Sequence, residues 1–269
     1  MIIAKTCRKL VYNKLSTQLW PIIYTMGIGL WFINLICYLF NDLQILTNAM
    51  PNPTPTAIPI SATSSLLNCQ NITIQRGEFP LCEAVNLVLN RGDICHLVGE
   101  NGTGKTTFLM QLAGLIPVLT GDISWQGKAG LPVQPFYVAH QLGIHLQLTV
   151  EQNLRFLLAL YGIKPSADAL EQALDWVGLA GYEKINCYQL SAGQTRRVGL
   201  ARLLFALEYV AQFPCWLLDE PLTALDVNMI AKIEHLMQTF VQRGGAVLLT
   251  SHQTVAVANK QLDLTLYMV

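Results

Sequence analysis

The clearest chemistry in the chain lies in eight consecutive residues, Gly99-Glu100-Asn101-Gly102-Thr103-Gly104-Lys105-Thr106, which fit G-x-x-x-x-G-K-[ST]. Glycines at 99, 102 and 104 let backbone N–H groups converge on phosphate oxygens. Lys105 neutralises the β- and γ-phosphate charge, and the Thr106 hydroxyl can ligate Mg²⁺. Thr107 is counted with them among the nucleotide-binding positions. The apolar run Ile94–Val98 ends just before this stretch and a helical pattern over Phe108–Ala113 follows. An ordinary glycine-rich turn lacks that strand–loop–helix context.

A second constellation is Cys215-Trp216-Leu217-Leu218-Asp219-Glu220, four apolar residues ending in paired carboxylates. A buried strand delivers acids to a site at its C-terminal end in this way. Asp219 would hold the Mg²⁺ shell, and Glu220 would act as general base or orient an attacking water. Alone, an Asp-Glu pair reads as solvated acids at a strand end; behind a phosphate loop it reads as a hydrolytic site.

The third is Leu190-Ser191-Ala192-Gly193-Gln194, where Ser191 and Gln194 have capping-box spacing ahead of a helical run with Val198, Ala201 and Leu204 or Phe205 on one face. A capped helix N-terminus presents unpaired N–H groups and the positive end of a dipole, which suits a phosphate. Phosphates held by Gly99–Thr106 of the same chain are already partnered, so the two half-sites are expected to meet across a dimer.

The elements that must position these residues follow from pattern. Ile94–Val98, Cys215–Leu218 and Ala246–Thr250 read as buried strands, and alternation of strands with helices implies a mostly parallel sheet covered by helices. Between them, Thr149-Val150-Glu151-Gln152 has capping-box spacing, and Val150, Leu154, Leu157, Leu158 and Tyr161 recur on one helical face. A second helix is expected from near Ser166 to Gly178, burying Leu170, Leu174 and Val177. An α-helical insert over about 145–200 within an α/β domain is the expected outline.

With 17 basic against 17 acidic residues there is no global basic field, which argues against nucleic acid as a partner. Hydrophobic residues at 52% against 13% charged exclude a disordered chain and point to contact with a membrane or a membrane protein. The seven cysteines form no C-x-x-C pair and read as reduced thiols in a cytosolic compartment.

Residues 1–47 form an N-terminal extension and 48–65 a Pro-, Ser- and Thr-rich linker, with the main domain over 66–269. Within the extension, the 21 residues Trp20–Phe40 carry no charge and are long enough to span a bilayer as a helix. Lys5, Arg8, Lys9 and Lys14 precede that segment, which by charge bias places the following domain outside, where ATP is absent. Three readings resolve this: the segment lies along the surface or packs against the partner's helices without crossing, it inserts against the bias, or translation begins near Met50, which is the favoured expectation.

Taken in order, Gly99–Thr106, Leu190–Gln194 and Leu217–Glu220 resemble the ATP-binding subunit of ABC transporters. Gln141 falls where that family has its Q-loop, Ala224-Leu225-Asp226 looks like its D-loop, and Ser251-His252 follows a strand as its switch histidine does. The resemblance implies a P-loop NTPase of the ABC ATPase type: a RecA-like core sheet, an antiparallel β subdomain and an α-helical subdomain. It also implies ATP and Mg²⁺ as ligands, with Glu220, His252 and Gln141 in the hydrolytic set and Gln141 beside Thr106 and Asp219 at the metal. Ser191, Ala192, Gly193, Gln194 and Asp226 would complete the nucleotide site.

Within that superfamily, Tyr137-Val-Ala-His-Gln-Leu-Gly-Ile144, Glu151-Gln-Asn-Leu-Arg-Phe156 and Leu190-Ser-Ala-Gly-Gln-Thr-Arg-Arg197 are most similar to the CcmA family, the ATPase subunits of bacterial cytochrome c maturation. Asp219–Ala224 and Thr250–Gln253 also match that family. The implied partners are a second copy of the chain and a CcmB-like transmembrane subunit, with CcmC- and CcmD-like chains. The implied place is the cytoplasmic face of the inner membrane, peripherally bound, in haem export or delivery to a periplasmic haem chaperone.

Ala139 departs from the usual Gly, and the aromatic that would stack on adenine is not evident: Phe79 or the Arg76 guanidinium could serve, and Phe79 reads equally as core. The chain ends 17 residues past His252, which leaves no room for an added regulatory domain. His140 and His145 read as surface or core histidines before haem ligands, and the sequons at Asn71 and Asn101 as unmodified. Two other functions compete: the ATPase of another small exporter, and a soluble ABC-type ATPase. The second is disfavoured by a single motif set and an insert of only about 50 residues between Gln141 and Leu190.

Overall fold

The computed structural model describes residues 65–126 and 133–269. The extension over 1–47, its apolar segment 20–40 and nearly all of the linker lie outside the described residues. Among the described residues no helix is long and apolar enough to cross a membrane.

The central sheet is parallel, with spatial order β5 (Phe136–Val138), β6 (Cys215–Leu218), β7 (Ala246–Thr250), β3 (Ile94–Val98), β8 (Lys260–Asp263). The three strands expected from apolar runs have the bounds the sequence implies. Both faces of β6 and β7 are covered, which is why they read as continuous apolar runs without alternation. Successive side chains still point to opposite faces. Cys215 and Leu217 enter one core with Cys95, Leu97 and Leu248, whereas Trp216 and Leu218 enter the other with Ile94, Val247 and Leu249. In the second of these cores Trp216 stacks on Phe240 with ring centroids 3.9 Å apart.

The first core is closed by an antiparallel sheet of order β2 (Phe79–Asn90), β1 (Ser65–Arg76), β4 (Asp122–Trp125). β1 and β2 form a hairpin turning at Gly77-Glu78, which sets Arg76 opposite Phe79. The second core is closed by helices: α2 (Val150–Ala159), α3 (Ala167–Trp176), α4 (Ala192–Ala206) and α5 (Val227–Gln242). Each starts at a side-chain cap, respectively Thr149, Ser166, Ser191 and Asp226, and the Thr149–Gln152 and Ser191–Gln194 boxes are both formed.

Three details differ from the sequence reading. The helix after the phosphate loop, α1 (Lys105–Leu112), begins three residues before Phe108, because Lys105, Thr106 and Thr107 form its first turn. Tyr161 lies beyond α2: its hydroxyl donates to the Tyr137 carbonyl at 2.9 Å and accepts from the Tyr137 amide at 3.0 Å, tying the helical insert to β5. α4 is buried on most of its circumference, Arg196 and Arg202 included, rather than on one face, while Leu204 and Phe205 are only half-buried. It runs between α2, α3 and the sheet, so no stripe is left for solvent over much of its length.

The five described cysteines are buried and unpaired. Burial pushes the thiols of Cys69 and Cys95 up to about 12, so neither ionises at neutral pH.

Candidate functional site

Strand polarity makes the site. β3, β6 and β7 run parallel, so their C-terminal ends deliver the Gly99 loop, the Asp219-Glu220 pair and Ser251-His252 to one side of the sheet. The loop closes at Gly104, whose φ of 97° caps α1 in the left-handed region, and a Cβ there would lie 2.6 Å from Ile74 Cγ2. Only glycine fits the position on both counts. Thr103 is buried; its hydroxyl donates to the Glu100 carbonyl at 3.0 Å, and its own carbonyl accepts from Cys82 Sγ at 3.3 Å. Lys105 Nζ donates to the carbonyls of Gly99 at 2.7 Å and Glu100 at 3.0 Å, which holds the ammonium across the loop. Asn101 and Gly102 are exposed at its tip.

The loop and the carboxylates are joined by a chain of short hydrogen bonds. The Thr106 hydroxyl donates to Asp219 Oδ2 at 2.9 Å, the Thr250 hydroxyl donates to Asp219 Oδ1 at 2.9 Å, and the Glu220 amide donates to Thr250 Oγ1 at 2.8 Å. Asp219 is 1% exposed and its amide donates to Val138 O at 2.8 Å, so the acid is fixed from both sides.

Glu220 sits at φ 53°, in the left-handed region. For a non-glycine residue that conformation costs of order 1–3 kcal/mol, which is sustained where the surroundings over-determine it, as the Thr250 bond does here. The residue is 7% exposed; Oε2 accepts from the Thr223 hydroxyl at 3.2 Å, whereas Oε1 has no hydrogen-bond partner among the described residues. His252 Nε2 stands 3.6 Å from that oxygen, just outside hydrogen-bond reach, on an exposed side chain. An orphaned, buried carboxylate oxygen next to an exposed imidazole is suited to hold and orient a water.

The donor set fits a magnesium nucleotide. Among the described residues no group of three His, Cys, Asp or Glu side chains could hold a metal by itself. Thr106 and Asp219 together offer one hydroxyl and one carboxylate, a donor pair that would suit Mg²⁺ bound beside a phosphate.

The remaining expected residues are placed less centrally. Gln141 is exposed on the loop after β5, and it is not brought into hydrogen bonding with Thr106 or Asp219. Ser191 and Ala192 are exposed at the start of α4, and Gln194 accepts from the Ser191 amide at 2.9 Å through Oε1. Gly193 packs under the Ala224 carbonyl, where an added Cβ would lie 3.2 Å away. Asp226 Oδ1 accepts from the Met229 amide at 2.9 Å and its Oδ2 pairs with Arg197, so the helix that starts at Ser191 is tied to the loop that follows Glu220. The amide of Met229, more than Arg197, holds the Asp226 carboxyl below its ordinary range. Phe79 is 75% exposed at the tip of the β1–β2 hairpin, which rules out a core position for it.

Thr250, Thr223, Arg196 and Cys82 touch the site, although the sequence alone assigns none of them a role in it. Thr250 ends an apolar run that is buried throughout, and a hydroxyl at such a position needs a partner; that was the available signal.

The chain is similar to proteins of a known family. The sequence pattern of the ABC transporter family matches residues 82–223. The chain is 41% identical over 211 residues to the cytochrome c biogenesis ATP-binding export protein CcmA of Saccharophagus degradans, covering 74% of this chain and 92% of that protein. It is 39% identical to the protein of the same name from Vibrio cholerae, covering 73% and 96% respectively. Among solved structures, the dimeric post-hydrolysis state of the ATP-binding cassette MJ0796 bound to ADP and Pi superposes with a TM-score of 0.60 at 23% identity, over 73% of this chain and 93% of that one.

Proposed function

The chain belongs to the ABC transporter family, among the CcmA-type ATP-binding subunits, and from that premise we propose that it hydrolyses ATP to drive a membrane partner in c-type cytochrome biogenesis. The observation that carries the proposal is the bonded series Thr106–Asp219–Thr250–Glu220, which links the phosphate loop to the candidate base through one carboxylate and one hydroxyl. Backbone N–H groups of Gly99–Thr107 and the Lys105 ammonium bind the phosphates. Thr106 and Asp219 hold Mg²⁺, which supplies charge neutralisation at the phosphates when bound. Glu220 accepts the proton of a water oriented at its free oxygen, His252 reaches the γ-phosphate, and Gln141 approaches the metal from its loop. Phe79, exposed at the hairpin tip, stacks on the adenine.

Ser191–Gln194 and Asp226 serve the nucleotide held by a second copy of the chain, so that two MgATP are enclosed head to tail. Closure on binding and reopening after hydrolysis then do work on a CcmB-like transmembrane subunit, with CcmC- and CcmD-like chains in the complex. The ATPase sits peripherally on the cytoplasmic face of a bacterial inner membrane, and the process served is haem export or delivery to a periplasmic chaperone. Support comes from relatives named for cytochrome c biogenesis export that span most of the chain.

The test replaces the chromosomal copy by Lys105→Ala in the source organism and stains membranes for covalently bound haem. Loss of all c-type cytochromes with other haem proteins intact is expected. Normal c-type cytochromes would assign the chain to a different exporter.

A further inference from the structure

Arg196 and Gly199 lie three residues apart on α4, and they meet the loop of Gln141 on either side of that residue. Arg196 Nη1 donates to the carbonyl of His140 at 3.4 Å. Gly199 makes room for Leu142, since a Cβ there would lie 2.8 Å from Leu142 Cδ1 and 3.0 Å from its Cβ.

Arg196 is only 8% exposed, and its Nε and Nη2 have no hydrogen-bond partner among the described residues. A guanidinium buried with donors unmet is costly, and an aliphatic side chain would pack there with less penalty. Burial lowers its pKa, while the negative charges of Glu220 and then Asp219 act in the opposite direction.

We propose that Arg196 is a positioning residue for hydrolysis: with Gly199 it clamps residues 140–142 to the helix that begins at Ser191, so that this helix and Gln141 move as one piece. The inference rests on the proposed function and deepens it. Engagement of a second copy's nucleotide at Ser191 is conveyed along α4 to the Gln141 that serves this chain's own nucleotide, which couples the two sites.

The experiment is a double-mutant cycle on the full-length chain, reading kcat and MgATP affinity. Arg196→Gln is expected to lower kcat by about 10- to 100-fold, the scale of a slightly misplaced site, with MgATP affinity unchanged within about two-fold. Gln141→Ala also lowers kcat, and the double variant is expected to be no slower than Gln141→Ala alone, because residues acting through one another are not additive. Parental kcat in Arg196→Gln overturns the inference. So does a fully multiplicative loss in the double variant, and either result leaves the proposed function standing. Parental kcat in Gln141→Ala overturns instead the assignment of Gln141, and the inference with it.

If Arg196→Gln fails to fold, Gly199→Ala takes its place in the cycle. Alanine favours a helix over glycine, and its added methyl displaces Leu142 while leaving every charge in place. Non-additivity with Gln141→Ala supports the clamp, and additivity overturns it.

Discussion

The hydroxyl of Thr250 donates to Asp219 Oδ1 at 2.9 Å while accepting the Glu220 amide at 2.8 Å, so one buried side chain sets both carboxylates. Thr250 is fully buried at the end of β7. Thr250→Val keeps the shape and removes both bonds, leaving a buried carboxylate oxygen and a buried N–H unpaired. The expected cost is about 1–3 kcal/mol for each orphan. Denaturant unfolding should show that loss, and kcat should fall further than stability explains, because Glu220 is released from its left-handed conformation. A variant with parental kcat would detach Thr250 from the chemistry.

Glu220→Gln keeps the side chain's size and its contact with Thr223 but removes the proton acceptor. MgATP binding is expected to persist, turnover to vanish, and an ATP-bound dimer to accumulate on a sizing column. Hydrolysis at the parental rate would place the base elsewhere.

Phe79→Ala tests the adenine platform. At 75% exposure, Phe79 contributes little to the fold, and surface truncations of this kind change stability by about 0.5 kcal/mol or less. Loss of a base–aromatic stack costs about 1–3 kcal/mol in nucleic-acid systems, so Kd for MgATP should rise by roughly 5- to 150-fold at constant thermal stability. An unchanged Kd would transfer the platform to Arg76 across the hairpin.

The parts of the site visible in sequence are those that depend on near neighbours. β6 and β7 are continuous apolar runs because they are covered on both faces, and Asp219 and Ser251 mark where those runs end. Thr149 and Ser191 announce their helices because a capping box spans only four residues. Thr250 and Arg196 act across 31 and 56 residues of sequence, and no local period encodes such pairings. The burial of α4 is not legible in sequence for a related reason: a helix packed on most sides has no amphipathic stripe, and two buried arginines make it look solvated. Phe79 read equally as core because an aromatic at the start of a strand has the same local pattern whether it faces inward or lies at a hairpin tip.

The most direct measurement mixes two defective full-length chains, Lys105→Ala and Ser191→Arg, and reads ATP hydrolysis. Each alone is expected to be inactive. If each nucleotide lies between the Gly99–Thr106 loop of one copy and Ser191 of the other, a mixed pair contains one site free of both defects. Half of randomly formed pairs are mixed and each has one of its two sites intact, so the rate rises to at most about a quarter of the parental, and to less where the two sites are coupled. If Lys105 and Ser191 of one chain served the same nucleotide, every site would carry a defect; a mixture as inactive as its components would contradict the shared site.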